Sequence, residues 1–121
     1  MPAKILAVVD DIFFLAKIQG TAKQLGITVE AVAPDALEGR LAAGGAGAIL
    51  LDLNHHSGKA IASLEKLKSG PVTRSIPVVG FLSHVQTDLA QAAHAAGCDR
   101  VMARSAFSQQ LPALLRELTK Q

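Results

Sequence analysis

The apolar residues of this chain fall into five short strand-like runs, separated by stretches with helical spacing. The runs cover residues 4–9, 27–32, 48–53, 76–82 and 100–103. Between them, apolar residues recur three or four positions apart, as on one face of a helix. Such an alternation indicates right-handed βαβ units and a parallel sheet with helices on both faces. We therefore predict a three-layer, doubly wound α/β fold with five parallel strands.

Composition narrows the class of protein. The 121 residues suffice for one domain with a core, and half of them are apolar. A net charge of +2 without a basic run argues against nucleic-acid binding. No apolar run approaches the ~20 residues of a membrane-spanning helix, and the N-terminus lacks a signal-peptide pattern. The lone Cys98 gives no disulfide framework and favours a reducing, cytoplasmic setting. We predict a single cytoplasmic domain over residues 1–121.

Two local predictions concern the helices. Pro112 suits the first turn of a helix, so we predict that the last helix begins near Ser108. Phe13 and Phe14 are adjacent and cannot share one helix face. We expect one of them to pack inward and the other to be half exposed or to mark a partner surface.

Charged and polar residues stand at the carboxyl ends of the predicted strands. They are Asp10 and Asp11 after the first strand, Asp52 at the end of the third, Ser83 after the fourth and Arg104 after the fifth. In an open parallel sheet these ends meet at one edge, where ligands bind at the switch in strand order.

Three carboxylates in one crevice would raise each other's pKa or recruit a cation. Two carboxylates ~4 Å apart repel by about 4 kcal/mol at an effective dielectric constant near 20. Hard oxygen ligands with room for water suit Mg²⁺ better than zinc. An alternative for Asp10 and Asp11 is that they only cap the first helix. The addition of Asp52 favours a site.

The order and spacing of these residues resemble the CheY-like receiver domain of two-component response regulators over essentially the whole chain. Residues 4–11 (KILAVVDD) resemble its first strand and acidic pair, and residues 48–53 (AILLDL) its third strand and phosphoacceptor Asp. Residues 76–79 (IPVV) resemble the start of its fourth strand, and residues 97–99 (GCD) the turn before its fifth. The resemblance implies a flavodoxin-like fold with strand order 2-1-3-4-5.

The resemblance also implies a function in phosphorelay signal transduction. Asp52 would accept a phosphoryl group, with Mg²⁺ held by Asp10, Asp11 and Asp52. Ser83 and Arg104 would hold the phosphoryl oxygens. The implied partners are a sensor histidine kinase or phosphotransfer protein, and a downstream protein on the face formed by the fourth helix, fifth strand and fifth helix. The resemblance leaves a homodimer open and implies no nucleic-acid or membrane partner.

The chain departs from the family pattern at the positions that bind the phosphoryl oxygens and respond to phosphorylation. Arg104 stands where the family has Lys, and Ser105 where it has Pro, so no cis peptide is expected there. Val101 takes the place of the aromatic switch residue. Counting along the fourth strand, the family's hydroxyl position falls on Leu82, and a bulge would be needed to restore Ser83.

Three other interpretations are weighed against phosphoryl acceptance. A phosphorylation-independent pseudo-receiver would act as a protein–protein interaction module. A hydrolase with Asp52 as nucleophile would need a second Asp two residues on; position 54 is Asn, so we do not expect an enzyme. His55, His56 and His84 flank the carboxylates and suggest a transition-metal site. Because adjacent histidines rarely both reach one ion, exposed loop imidazoles are favoured over that site.

Overall fold

One parallel sheet organises the chain, as seen in a computed structural model that describes residues 4–83 and 86–119. Its strands are β1 Lys4–Val8, β2 Val29–Ala31, β3 Ala46–Asp52, β4 Val78–Leu82 and β5 Arg100–Ala103. The helices are α1 Ile12–Gln24, α2 Leu37–Ala42 after a 3₁₀ turn at Pro34–Ala36, α3 Ala60–Ser69, α4 Thr87–Ala95 and α5 Arg104–Thr119. The strand order is β2-β1-β3-β4-β5. The predicted fold class and strand order are confirmed.

The sheet has an apolar core on each face. Leu50 and Phe81 face α1 and α5, which contribute Ile18 and Phe107 among others to the same cluster. The alternate residues of β3 and β4 face the opposite side, where α2, α3 and α4 supply Leu37, Leu64 and Ala93. All five residues of β4 are buried. Burial on both faces explains why the central strands read as continuous apolar runs.

The turn before β5 is tied to the end of α3 by Lys68. Its ammonium group donates hydrogen bonds to the Ile76 carbonyl at 2.8 Å and to Asp99 Oδ2 at 2.7 Å. The same Asp99 oxygen accepts from the backbone N–H of Val78 at 2.8 Å. Gly97 opens this turn with φ of +96°, and a Cβ there would lie 3.0 Å from Lys68 Cγ. These contacts fix β5 against β4, and therefore fix the position of the residue that follows β5.

The last helix differs from the prediction. It begins at Arg104, four residues before Ser108, and Pro112 lies inside it. An interior proline costs about 3 kcal/mol, but burial of four large side chains outweighs that loss. These side chains are Phe107, Leu111, Leu114 and Leu115. Pro112 itself is exposed, so water can reach the carbonyl that loses its donor. Among the described residues, no helix combines the length and apolar character needed to cross a membrane.

Candidate functional site

Asp52 is the last residue of β3 and lies on the side of the sheet covered by α1 and α5. Strand side chains alternate, so Asp52 shares this side with Leu50. Only 4% of Asp52 is exposed, and it is the single buried charged residue among those described. Its Oδ1 accepts a hydrogen bond from the backbone N–H of Asn54 at 2.9 Å. Burial raises the pKa of the Asp52 carboxyl, and the neighbouring Asp10 carboxylate adds to that rise.

Asp10 follows β1, the strand next to β3, and lies beside Asp52. Its Oδ2 accepts hydrogen bonds from the backbone N–H of His56 at 2.9 Å and pairs with His56 Nδ1 at 2.5 Å. The backbone N–H of His56 is the main reason that the pKa of Asp10 falls to about 2. Asp10 is therefore ionised at neutral pH, and a negative charge faces the buried Asp52.

Asp11 is the N-cap of α1. Its Oδ1 accepts from the backbone N–H groups of Phe13 at 3.0 Å and Phe14 at 3.1 Å. Its Oδ2 lies 3.4 Å from Arg104 Nη2. The capping interpretation is thus confirmed for Asp11, whereas Asp10 binds His56.

Arg104 begins α5 directly after β5, and its guanidinium group lies over the Phe14 ring. Its guanidinium carbon is 4.3 Å from the centroid of the Phe14 ring and 5.7 Å from that of Phe81. Its buried Nε has no hydrogen-bond partner among the described residues. Phe14 packs inward beneath it, while Phe13 is 83% exposed, so the prediction that the pair divides between core and surface is confirmed.

We expect Arg104→Gln to lower the free energy of unfolding by about 0.5–1 kcal/mol, since it removes the cation–π contact and the pairing with Asp11. Arg100→Gln is the matched control, because among the described residues the Arg100 side chain forms one ion pair, an exposed one with Glu117 at 3.5 Å. Such surface pairs contribute about 0–1 kcal/mol, usually toward the lower end. Urea unfolding followed by far-UV circular dichroism measures both variants. Equal losses in the two variants would contradict a stabilising contact between the Arg104 guanidinium and the Phe14 ring.

Ser83 lies immediately after β4 and is exposed. Its backbone N–H donates to Asn54 Oδ1 at 2.8 Å, and Asn54 Nδ2 donates to Gln86 Oε1 at 2.8 Å. Strand β4 pairs regularly with β3 and β5 over all the described register pairs. No bulge therefore shifts Ser83 into the strand, and Leu82 is the buried last residue of β4. The bridge that Asn54 forms was not predicted from its residue type; its place two residues after Asp52 was the available signal.

The two histidines after β3 lie together at Asp10. Their rings are stacked, with centroids 4.9 Å apart and planes at 22°. One ligand atom from each of Asp10, His55 and His56 can be chosen so that all lie within 4.8 Å of one another. Both imidazoles thus meet at one carboxylate, which their adjacency in sequence did not predict. His84, the third histidine considered, lies outside the described residues.

No protein-family model and no curated protein matches this chain, but solved structures do. The signal receiver domain of a DNA-binding response regulator from Colwellia psychrerythraea 34H matches with a TM-score of 0.84 and 19% identity, covering 98% of this chain and 99% of that one. The Mn²⁺-bound form of response regulator Rcp1 has a TM-score of 0.81 at 20% identity, covering 99% and 96%. The phosphorylated cyanobacterial phytochrome response regulator RcpA has a TM-score of 0.78 at 23% identity, covering 98% and 91%.

Proposed function

We propose that this chain, which has the fold of response regulator receiver domains, accepts a phosphoryl group on Asp52 in a two-component phosphorelay. The observation that carries this proposal is the buried Asp52 carboxylate at the carboxyl end of β3, beside the ionised Asp10. A buried carboxylate facing a second one is unfavourable unless a cation or a reaction uses the pair.

Mg²⁺ fits the donor set of this crevice, because Asp10 and Asp52 offer hard carboxylate oxygens side by side. Asp11 would be the third ligand. Its Oδ2 lies 3.4 Å from Arg104 Nη2, a long contact that a nearby cation can replace while Oδ1 keeps the helix cap. When bound, Mg²⁺ would neutralise negative charge on the phosphoryl oxygens. The similar Rcp1 structure holds Mn²⁺, which prefers the same class of oxygen ligands.

Asp52 would act as the nucleophile toward a phosphohistidine. One carboxylate oxygen attacks phosphorus, so that a P–O bond forms while the P–N bond breaks and its electron pair leaves with the imidazole. The product is an acyl phosphate on Asp52. Arg104 would donate to a phosphoryl oxygen; its Nε is buried without a partner among the described residues, and its charge lies at the crevice. Ser83 would supply a hydroxyl from the exposed loop after β4, since no bulge brings it into the strand.

The phosphoryl donor would be a sensor histidine kinase or a phosphotransfer protein. The downstream partner, or a second copy of the chain, would bind the face formed by α4, β5 and α5. Arg104 would couple phosphorylation of Asp52 to this face, because it begins α5 and also contacts Asp11 in the crevice. Val101, where the family has its aromatic switch, is half-buried in β5.

Beryllofluoride, a phosphoryl mimic, tests this function. With millimolar Mg²⁺ it should shift the backbone amide signals of Asp52, Ser83 and Arg104 in ¹⁵N-correlated NMR spectra, because the mimic binds the Asp52 carboxylate. Asp52→Asn should abolish the shifts completely. Asp35→Asn is the matched control and should leave them unchanged, since that carboxylate is exposed and pairs with Lys59. Absence of shifts in the wild-type protein would overturn the proposal.

A phosphorylation-independent pseudo-receiver is the second candidate. The observation that favours it is the double use of Asp11, as helix cap and as the partner of Arg104, which occupies one of the proposed Mg²⁺ ligands. In that case beryllofluoride has no effect, and Asp52→Asn leaves the affinity for the protein partner unchanged. A large loss of affinity in Asp52→Asn would contradict this candidate.

A further inference from the structure

The loop after β3 brings two imidazoles to the mouth of the acid crevice. His56 Nδ1 lies 2.5 Å from Asp10 Oδ2, and the His55 ring stacks on the His56 ring. One carboxylate oxygen and two imidazole nitrogens form a mixed O/N donor set. Imidazole suits zinc, copper and nickel, whereas Mg²⁺ prefers oxygen ligands. The chemistry of this cluster therefore differs from that of the Asp10–Asp52 pair behind it.

The three ligand atoms lie near enough to one another to surround one small tetrahedral ion once His56 Nδ1 moves away from its direct contact with Asp10 Oδ2. With metal–nitrogen and metal–oxygen distances of ~2.0–2.2 Å, ligand atoms around Zn²⁺ are about 3.3 Å apart. The three atoms of Asp10, His55 and His56 lie within 4.8 Å of one another. His56 has a side chain that is 79% exposed, so it can move without disturbing the core. Three protein ligands leave one position for water.

Ser57 supports the outer side of His55. Its hydroxyl lies 2.9 Å from His55 Nδ1. The backbone N–H of Ser57 donates to the same nitrogen at 3.2 Å. These two contacts orient the His55 ring beside the His56 ring. The Asp10 carboxylate and the Asp52 carboxyl behind it add negative charge on the inner side of the cluster.

We propose that Asp10, His55 and His56 bind a borderline transition-metal ion, of which Zn²⁺ is the simplest case. This site adds two imidazole ligands that phosphoryl acceptance does not use, and it does not depend on that function. The two sites share Asp10, so a transition-metal ion bound here would compete with Mg²⁺ for that carboxylate.

Isothermal titration of the metal-free protein with Zn²⁺ tests the site. One equivalent should bind, and His55→Gln and His56→Gln should each weaken binding by about tenfold or more, because even outer-sphere partners change metal affinity by about 10–100-fold. His94→Gln is the matched control, since His94 is an exposed histidine on α4; it should bind Zn²⁺ as the wild-type protein does. The imidazole nitrogen signals of His55 and His56 should shift on addition of one equivalent of Zn²⁺.

Three results would overturn the site. They are the absence of a one-to-one Zn²⁺ complex, an equal loss of affinity in His94→Gln, and unchanged binding in both loop variants with a loss only in Asp52→Asn. The last result would place the ion among the carboxylates instead. Circular dichroism of each variant verifies its fold, which substitutions in this exposed loop should not disturb. Failure of the beryllofluoride response would leave the Zn²⁺ result unaffected, so the two proposals fail separately.

Discussion

Replacing Phe107 with alanine should lower the free energy of unfolding by about 3–5 kcal/mol, the usual range for a buried phenylalanine. Phe107 is fully buried, and its ring stacks on Phe81 with centroids 4.6 Å apart. Phe14 completes the group at 5.8 Å from Phe107. The loss is large because removal of the buried ring leaves a cavity beside the Phe14 and Phe81 rings.

Phe13→Ala is the matched control for this prediction. Phe13 is 83% exposed, so its removal should change the free energy of unfolding by no more than about 0.5 kcal/mol. Because the chain has no Trp or Tyr, unfolding in urea is best followed by far-UV circular dichroism. Losses of similar size in the two variants would show that the aromatic group is not the centre of this core.

The fold could be predicted from the sequence because the spacing of apolar residues determines which side chains are buried. The runs ending at Asp52 and Leu82 are buried on both faces. Continuous apolar runs of this kind are typical of central strands in a parallel sheet that helices cover on both sides. Because the carboxyl ends of parallel strands lie at the same edge of the sheet, the strand prediction alone was enough to predict that Asp10 lies near Asp52. The predicted start of the last helix near Ser108 was wrong. The preference of Pro112 for a first helical turn is outweighed by the apolar side chains that a helix beginning at Arg104 buries.

The details of the candidate site depend on contacts between residues far apart in the chain. His56 and Asp10 are 46 positions apart, and nothing local to either residue indicates that they pair. The direction of the Arg104 side chain depends likewise on where α1 places Phe14. Sequence patterns predict which strand end a residue occupies, but the direction of a side chain within a crevice is decided by its neighbours.

Asp52→Asn should raise the free energy of unfolding at neutral pH by about 0.5–2 kcal/mol, the range of single stabilising substitutions. Burial raises the pKa of Asp52 in the folded protein above its ordinary value of 3.8. An acid with a raised folded-state pKa destabilises the fold once it is ionised. The penalty is absent below pH 3.8, grows as the pH rises toward the folded-state pKa, and is complete above it. Asparagine keeps the shape and avoids the buried charge.

The pH dependence distinguishes this effect from that of Asp10. The pKa of Asp10 is lowered to about 2, so its contribution to stability is present above pH 3.8 and is lost as the pH falls through 2. Urea unfolding of the wild-type protein and Asp52→Asn over a pH series should therefore show a difference that opens above pH 3.8 and then levels off. Asp35→Asn, which removes an exposed carboxylate, should show no comparable gain. A less stable Asp52→Asn at pH 7 would contradict the argument. Added Mg²⁺ should narrow the difference, because it binds the folded wild-type crevice and stabilises it by mass action.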